Sequence, residues 1–181
     1  GLLAEAVSDS AFPGGVVLAA KDGQIFLHKA FGYHTYDNQK PVTRGSIFDL
    51  ASITKVIATT SAVMKLVEAD KISLEDKVVT YLPSFRGKQK DYFDHKSRIT
   101  IRHLMTHTSG LPPFKKYFLM DNNIQTRLDS IMNTEPEIGL NQTTIYSDVG
   151  LIVLGKVIES VSKNSLDDFV DSVIFEPLGL K

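Results

Sequence analysis

Residues 51–69 constrain this chain more than any other stretch, because they read as one helix that is apolar on most of its circumference. Ala51, Lys55, Ala58, Ala62 and Leu66 recur at helical spacing, and Ile53, Val56, Ile57, Thr60, Val63, Met64 and Val67 form a second stripe. Only Lys65 and Glu68 read as solvent-facing. A helix of this kind belongs inside a core, so the rest of the chain must be arranged to cover it. The same burial carries Lys55 inward. An ammonium there needs a partner or a lowered pKa, and such groups gather at functional sites. Ser52 lies three residues earlier, on the same helical face and within reach of that amine. A serine relieved of its proton by a neighbouring base attacks acyl carbons. The plain alternative is that Ser52 merely caps a helix.

Around this helix the pattern divides the chain. Leu2 to Val7 reads as the end of a helix, closed by the turn at Phe12-Pro13-Gly14-Gly15. Residues 16–20 and 24–33, joined by Lys21-Asp22-Gly23, read as an antiparallel hairpin. Residues 34–50 are polar and form a connection. Ser73-Leu74-Glu75-Asp76 opens a helix that Pro83 stops, and residues 84–98, basic and without periodicity, read as an exposed loop. Thr100 caps a short helix to His107, and a further helix spans Ile124 to Met132 within a weakly patterned stretch, 114–140. Apolar helices follow at Val149–Ser162 and from Ser165 to about Phe175. Two strands among so many helices do not complete a domain, since an isolated hairpin is marginal in water. The chain reads as the front part of something longer.

Composition enters as a set of exclusions. The net charge of −1 gives no reason to expect nucleic-acid or anionic-membrane binding. The absence of cysteine removes disulfides, thiolate metal sites and cysteine nucleophiles together. No stretch approaches a membrane span, and no signal-peptide pattern opens the chain.

Other candidate chemistry is sparse. Tyr146-Ser147-Asp148 precedes a buried helix, and a tyrosine there accepts a proton if a nearby ammonium lowers its pKa. Without Ser52 and Lys55 it would read as a core tyrosine. His103 and His107 have the spacing of a two-histidine metal site, but Leu104 stands where a zinc-protease motif needs Glu, and no third ligand lies near. A rigid turn over His107–Pro112, with Thr108 and Ser109 bonding backbone amides, is the preferred reading. No Gly-x-Ser-x-Gly or glycine-rich phosphate loop is present. A Ser-His-Asp triad remains open, because its members need not be close in sequence. Asn141-Gln142-Thr143 is a lone glycosylation sequon.

Taken in order, Phe48-Asp49-Leu50-Ala51-Ser52-Ile53-Thr54-Lys55, Leu74-Glu75-Asp76-Lys77-Val78 with Tyr81-Leu82-Pro83, the run Ile101 to Pro112, and Tyr146-Ser147-Asp148 with Gly150, Leu154, Gly155 and Ile158 carry a resemblance. They resemble the serine β-lactamase and penicillin-binding-protein superfamily, in its class C and esterase-like branch. Pro177-Leu178-Gly179-Leu180 is similar as well. The resemblance implies an α+β fold, an α/β sandwich with a helical subdomain. Here that β-lactamase/transpeptidase-like fold is expected to be incomplete, with its C-terminal strands missing. Residues 1–181 would be a partial domain, with helix and hairpin in 1–50 and a mostly helical lobe in 51–181.

For the site, the resemblance implies Ser52 as nucleophile, Lys55 as proton shuttle, Tyr146 as general-base partner and Asp148 as a substrate-binding residue. It implies no metal and no organic cofactor. Substrates would be a β-lactam, an ester or a D-alanyl peptide, a small or peptidoglycan-like molecule, in a periplasmic, secreted or cell-envelope setting. Two departures follow. Asp148 replaces the usual Asn and, ionised, only accepts hydrogen bonds. The family's Lys- or His-containing strand, which supplies the second oxyanion-hole amide, has no counterpart before Lys181. The 181-residue chain alone is therefore expected to show little catalysis, and its hairpin edges to favour self-association. The wording near Phe12-Pro13-Gly14-Gly15 and Phe31–Tyr36 also resembles domains fused behind glycoside hydrolases. The non-enzymatic alternative is a binding or regulatory relative that recognises cell-wall peptide without turnover, which Asp148 favours.

Overall fold

The computed structural model describes residues 1–87, 90–120 and 123–180, with backbone alone over 90–93. It separates into two units, 1–50 and 51–181.

In the first unit, helix α1 (Leu2–Ser8) leads to strands β1 (Gly14–Lys21) and β2 (Gln24–Gly32), paired antiparallel from Gly14↔Gly32 to Lys21↔Gln24. The connection is tight because Asp22 and Gly23 both take positive φ, 51° and 76°. That is the twist-matched two-residue turn which Asp-Gly favours. At the open end the strands close on glycine. Gly32 has φ +63°, and a Cβ there would lie 2.2 Å from the Pro13 carbonyl oxygen, so no other residue fits. Leu18, Ile25 and Phe26 stay exposed on this hairpin. Among the described residues the sheet consists of these two strands.

The second unit is helical and is organised on α7 (Asp148–Ser162). Its Val149, Val153, Leu154, Val157 and Ile158 are essentially inaccessible to solvent. Each such side chain stabilises the core by about 1.5–3 kcal/mol relative to exposure. The helix starts where Ser147 Oγ accepts the Gly150 N–H at 3.0 Å. It ends at Lys163, whose left-handed φ of 62° turns the chain away. Against it pack α2 (Ser61–Glu68), α3 (Val78–Tyr81), α5 (Ile101–Met105), α6 (Ile124–Met132) and α8 (Leu166–Val170). No helix among the described residues is long and apolar enough to cross a membrane.

Several sequence expectations change here. The helix around Lys55 is not uniformly α-helical, since Lys55–Thr60 forms a π-helical turn before α2. The carbonyls that such a turn loosens are held by hydroxyls: Thr60 Oγ1 donates to Lys55 O at 2.9 Å, and Ser61 Oγ to Val56 O at 3.3 Å. Nor is its whole circumference covered. The stripe with Ala58, Ala62 and Leu66 is buried, but Ile53, Val56 and Met64 are more than half exposed. Apolar periodicity marks both stripes alike, and only packing tells which residues are covered, since Val63 of the second stripe is buried as well. The helix expected from Ser73 is shorter, because Asp76 Oδ2 accepts the Ser73 N–H at 2.7 Å in a turn that delays helix α3 to Val78. The last helix likewise gives way to a π-helical turn at Asp171–Phe175.

The largest correction concerns residues 84–98. Positions 88–89 lie outside the described residues, but Lys90–Arg98 is a helix, α4, and Lys96 and Ile99 are fully buried. Lys96 Nζ donates to Met132 O at 2.6 Å and Thr134 O at 3.1 Å, where α6 ends, and lies 4.3 Å from the centre of the Phe85 ring. Loose carbonyls at a helix C-terminus attract a cation, which no periodicity in a basic stretch reveals.

Burial pushes the Lys96 pKa down to about 8, with Glu135 opposing. Between that value and the ordinary lysine value of 10.5, the unfolded chain holds more protons than the folded one, so Lys96 makes stability rise with pH. Above about pH 10 the sign reverses, because burial and then Asp76 push the Tyr81 phenol up to about 12. Urea denaturation at stepped pH should show the first rise in the wild type and its absence in Lys96→Met.

Candidate active site

Ser52 sits at the entry to the Lys55 helix, immediately after Ala51, whose φ of 42° lies in the left-handed region. For a residue with a side chain that conformation costs on the order of 1 kcal/mol or more and is found where geometry matters. Lys55 Nζ donates to Ser52 Oγ at 3.0 Å. The same nitrogen lies 2.9 Å from Asp148 Oδ1, in the first turn of α7. It also stands 5.1 Å from the centre of the Tyr146 ring. Two stretches far apart in sequence thus converge on one ammonium, and Ser52, Lys55, Tyr146 and Asp148 form one cluster.

The electrostatics differ from the sequence expectation in one respect. Burial by itself would lower the Lys55 pKa, but hydrogen bonds to Tyr146 and Asp148 outweigh it, and the value lies above that of an ordinary lysine. Lys55 is therefore a cation at neutral pH. The Tyr146 phenol moves the other way, lowered first by its hydrogen bond with Lys55 and then by that with Ser52. Of the two bases considered beside Ser52, the phenol is the one shifted toward neutral pH, although its side chain is half-exposed.

The tyrosine loop is held from behind. Ser147 Oγ donates to Pro112 O at 2.7 Å, and the Asp148 N–H donates to Pro113 O at 2.8 Å. The Ser147 N–H donates to His107 Nδ1 at 3.0 Å, and the Ile145 N–H to His107 O at 2.9 Å. The turn over His107–Pro112 is thus a clamp for residues 145–148. Within it Ser109 Oγ accepts the Leu111 N–H at 3.4 Å, as the rigid-turn reading anticipates, whereas Thr108 Oγ1 meets Thr106 Oγ1 at 3.0 Å instead of a backbone amide. Gly110, at φ +78°, has the Ile138 carbonyl oxygen 2.2 Å from where a Cβ would stand. His103 and His107 do not share a helical face. His107 lies beyond α5 with φ 58°, while His103 completes the capping box with Thr100 and meets Asn141 at 2.9 Å. His107 and Ala51 are the parts of the site that sequence reasoning missed. Turn-forming residues around His107 were visible, but contact with residue 147 carries no sequence signal.

Beside the cluster opens a cavity of about 550 Å³, mostly apolar, whose wall runs from Lys55 and Asp148 to Phe114, Phe118, Ile152 and Leu166. Of the cluster, Lys55 and Asp148 line this cavity.

The fold that places these groups is of the β-lactamase/transpeptidase-like class, helix-rich with a small antiparallel sheet. The structure of EstCE1, titled a hydrolase with promiscuous acyltransferase activity, superposes with a TM-score of 0.84 at 28% identity, covering 100% of this chain and 50% of that one. An octameric penicillin-binding protein homologue from Pyrococcus abyssi superposes with a TM-score of 0.78 at 28% identity, over 98% of this chain and 42% of that one. The chain belongs to the Beta-lactamase family, whose model matches residues 1–181. A Salmonella typhimurium relative bearing the name "Putative D-alanyl-D-alanine carboxypeptidase" is 35% identical over 96% of this chain. The chain spans 43% of that relative's length.

Proposed function

We propose that this chain carries the nucleophile, base and charge of a serine hydrolase that works through an acyl-enzyme. Ser52 Oγ attacks the acyl carbon and passes its proton to the Tyr146 phenolate, while Lys55 remains an ammonium that keeps the phenol acidic. The new Oγ–C bond drives the carbonyl electrons onto oxygen, where the Ser52 backbone N–H at the helix start supplies one stabilising donor. Collapse breaks the bond to the leaving group, which takes the proton from Tyr146. Water then repeats the sequence in reverse roles and frees Ser52. The observation that carries this reading is the Lys55 ammonium held between Ser52 Oγ at 3.0 Å and Asp148 Oδ1 at 2.9 Å, beneath the Tyr146 ring.

The substrate is a carboxyl derivative: a β-lactam, an ester or a D-alanyl peptide. The carboxypeptidase name of the Salmonella relative and the acyltransferase title of EstCE1 support that class. Asp148 takes two roles in this reading, fixing Lys55 through Oδ1 and facing substrate from the cavity wall. The second reading, peptide binding without turnover, draws on the same ion pair, because a carboxylate that neutralises Lys55 weakens its hold on the phenol.

The test is covalent labelling of the full-length protein with a fluorophosphonate, read by intact and peptide mass spectrometry. One adduct on Ser52, absent from Ser52→Ala, is expected. Labelling that survives in Ser52→Ala sinks the assignment, and tight peptide binding without any adduct supports the second reading.

A further inference from the structure

We propose that His107 is the positioning residue for Tyr146, holding the tyrosine loop only while its imidazole is neutral and Nδ1 accepts the Ser147 N–H. The inference rests on the reading of Tyr146 as the proton acceptor, and it adds a pH-sensitive control to that site.

His107 grips the residues on both sides of Tyr146. Its carbonyl accepts the Ile145 N–H at 2.9 Å, and its Nδ1 accepts the Ser147 N–H at 3.0 Å. Between those two bonds its ring meets the Tyr146 ring at 4.6 Å, with the planes inclined by 41°. The phenol is thus fixed along the chain by two backbone bonds and sideways by an aromatic contact. Its own exposure gives it little else to lean on, since the Tyr146 side chain is half in solvent. The left-handed backbone at His107, φ 58°, is what turns carbonyl and ring toward the same loop.

An Nδ1 that accepts leaves the proton of the neutral ring on Nε2. Protonation places a second N–H at Nδ1, directly opposite the Ser147 N–H. Two donors then face each other across 3.0 Å, and one must move. Ser147 is buried, with its Oγ committed to Pro112 O and Gly150 N, so the strain passes to the neighbouring Tyr146.

Among the described residues, the charged and titratable groups facing His107 are Lys55, Asp148 and Tyr146. Burial first, then the Lys55 ammonium, hold the His107 pKa below its ordinary 6.5, with Asp148 opposing. The clamp is therefore closed at neutral pH and opens on the acid side. The sign is definite: the unfolded chain takes up the proton first, so the clamp's contribution to stability is also lost as pH falls.

A histidine that only shaped the turn would leave the pH profile alone, which makes the profile the test. The full-length wild type, His107→Asn and His107→Phe are compared in hydrolysis of p-nitrophenyl butyrate across pH. A misplacement of about 1 Å costs about 100-fold in rate. His107→Phe, which keeps a ring but leaves the Ser147 N–H unpaired, should lose about that much in kcat with little change in KM. His107→Asn, whose Oδ1 replaces the Nδ1 acceptor and does not titrate, should recover most of the loss. It should also remove the extra proton dependence that the wild type shows below about pH 6.5. In parallel, the Ser147 amide resonance should shift with the His107 ring as it titrates.

Wild-type kinetics and profile in His107→Phe would overturn the proposal. So would a Ser147 amide that ignores the His107 titration, and that second readout needs neither turnover nor a folded variant. The proposal and the hydrolase reading fail separately. Absence of a Ser52 adduct in the wild type defeats the hydrolase reading, whereas a Ser52 adduct with an indifferent His107 defeats only this one.

Discussion

Tyr146→Phe is expected to slow acylation of Ser52 by about 10³-fold, within the usual range for loss of a positioned general base. The substitution removes one hydroxyl and leaves the ring that packs on His107. Lys55 keeps its hydrogen bond to Ser52 and its ion pair with Asp148, so neither fold nor serine placement should suffer. What disappears is the group whose pKa is drawn down by Lys55 and Ser52. Stopped-flow acylation by a chromogenic ester gives the rate, and ultraviolet phenolate titration should show one fewer low-titrating tyrosine. A Tyr146→Phe protein acylating at the wild-type rate would return the proton-acceptor role to Lys55.

Lys55→Met should cost more, about 10⁴-fold, because it removes two effects at once. Ser52 Oγ loses its only described cationic donor, at 3.0 Å. The Tyr146 phenol loses the hydrogen bond that chiefly lowers its pKa, while Asp148, no longer neutralised, continues to raise it. The phenol therefore titrates later in the variant, and whatever acylation survives should move to alkaline pH. The two variants separate by that profile: Tyr146→Phe lowers the rate without restoring it at high pH, and Lys55→Met recovers part of its rate there. An unshifted profile in Lys55→Met would show that the ammonium does not govern the phenol.

Much of this site is legible in the sequence. Ser52 and Lys55 are neighbours through local helix geometry, which spacing alone expresses, and Tyr146 stood out by its place before a buried helix. The Asp-Gly hairpin was equally visible, because φ > 0 at two successive positions is a local demand. Lys96 was not. A lysine in a polar, basic stretch reads as solvated, and it is the carbonyls of residues 132 and 134, the Phe85 ring and the Glu135 charge that make its burial tolerable. The exposed part of the Lys55 helix escapes for the same kind of reason: Ile53 and Ala62 are both apolar in sequence, and only tertiary packing leaves one exposed and buries the other.

Local sequence settles which groups are present and how those within one helical turn meet: a serine, a lysine three residues on, a capped apolar helix with a tyrosine before it. Their chemical states come from long-range packing. By bringing Asp148 and Tyr146 to Lys55 it raised the lysine's pKa and lowered the phenol's. Coulomb and hydrogen-bond terms depend on distances of a few ångströms between residues some ninety positions apart, and spacing along a chain says nothing about those distances.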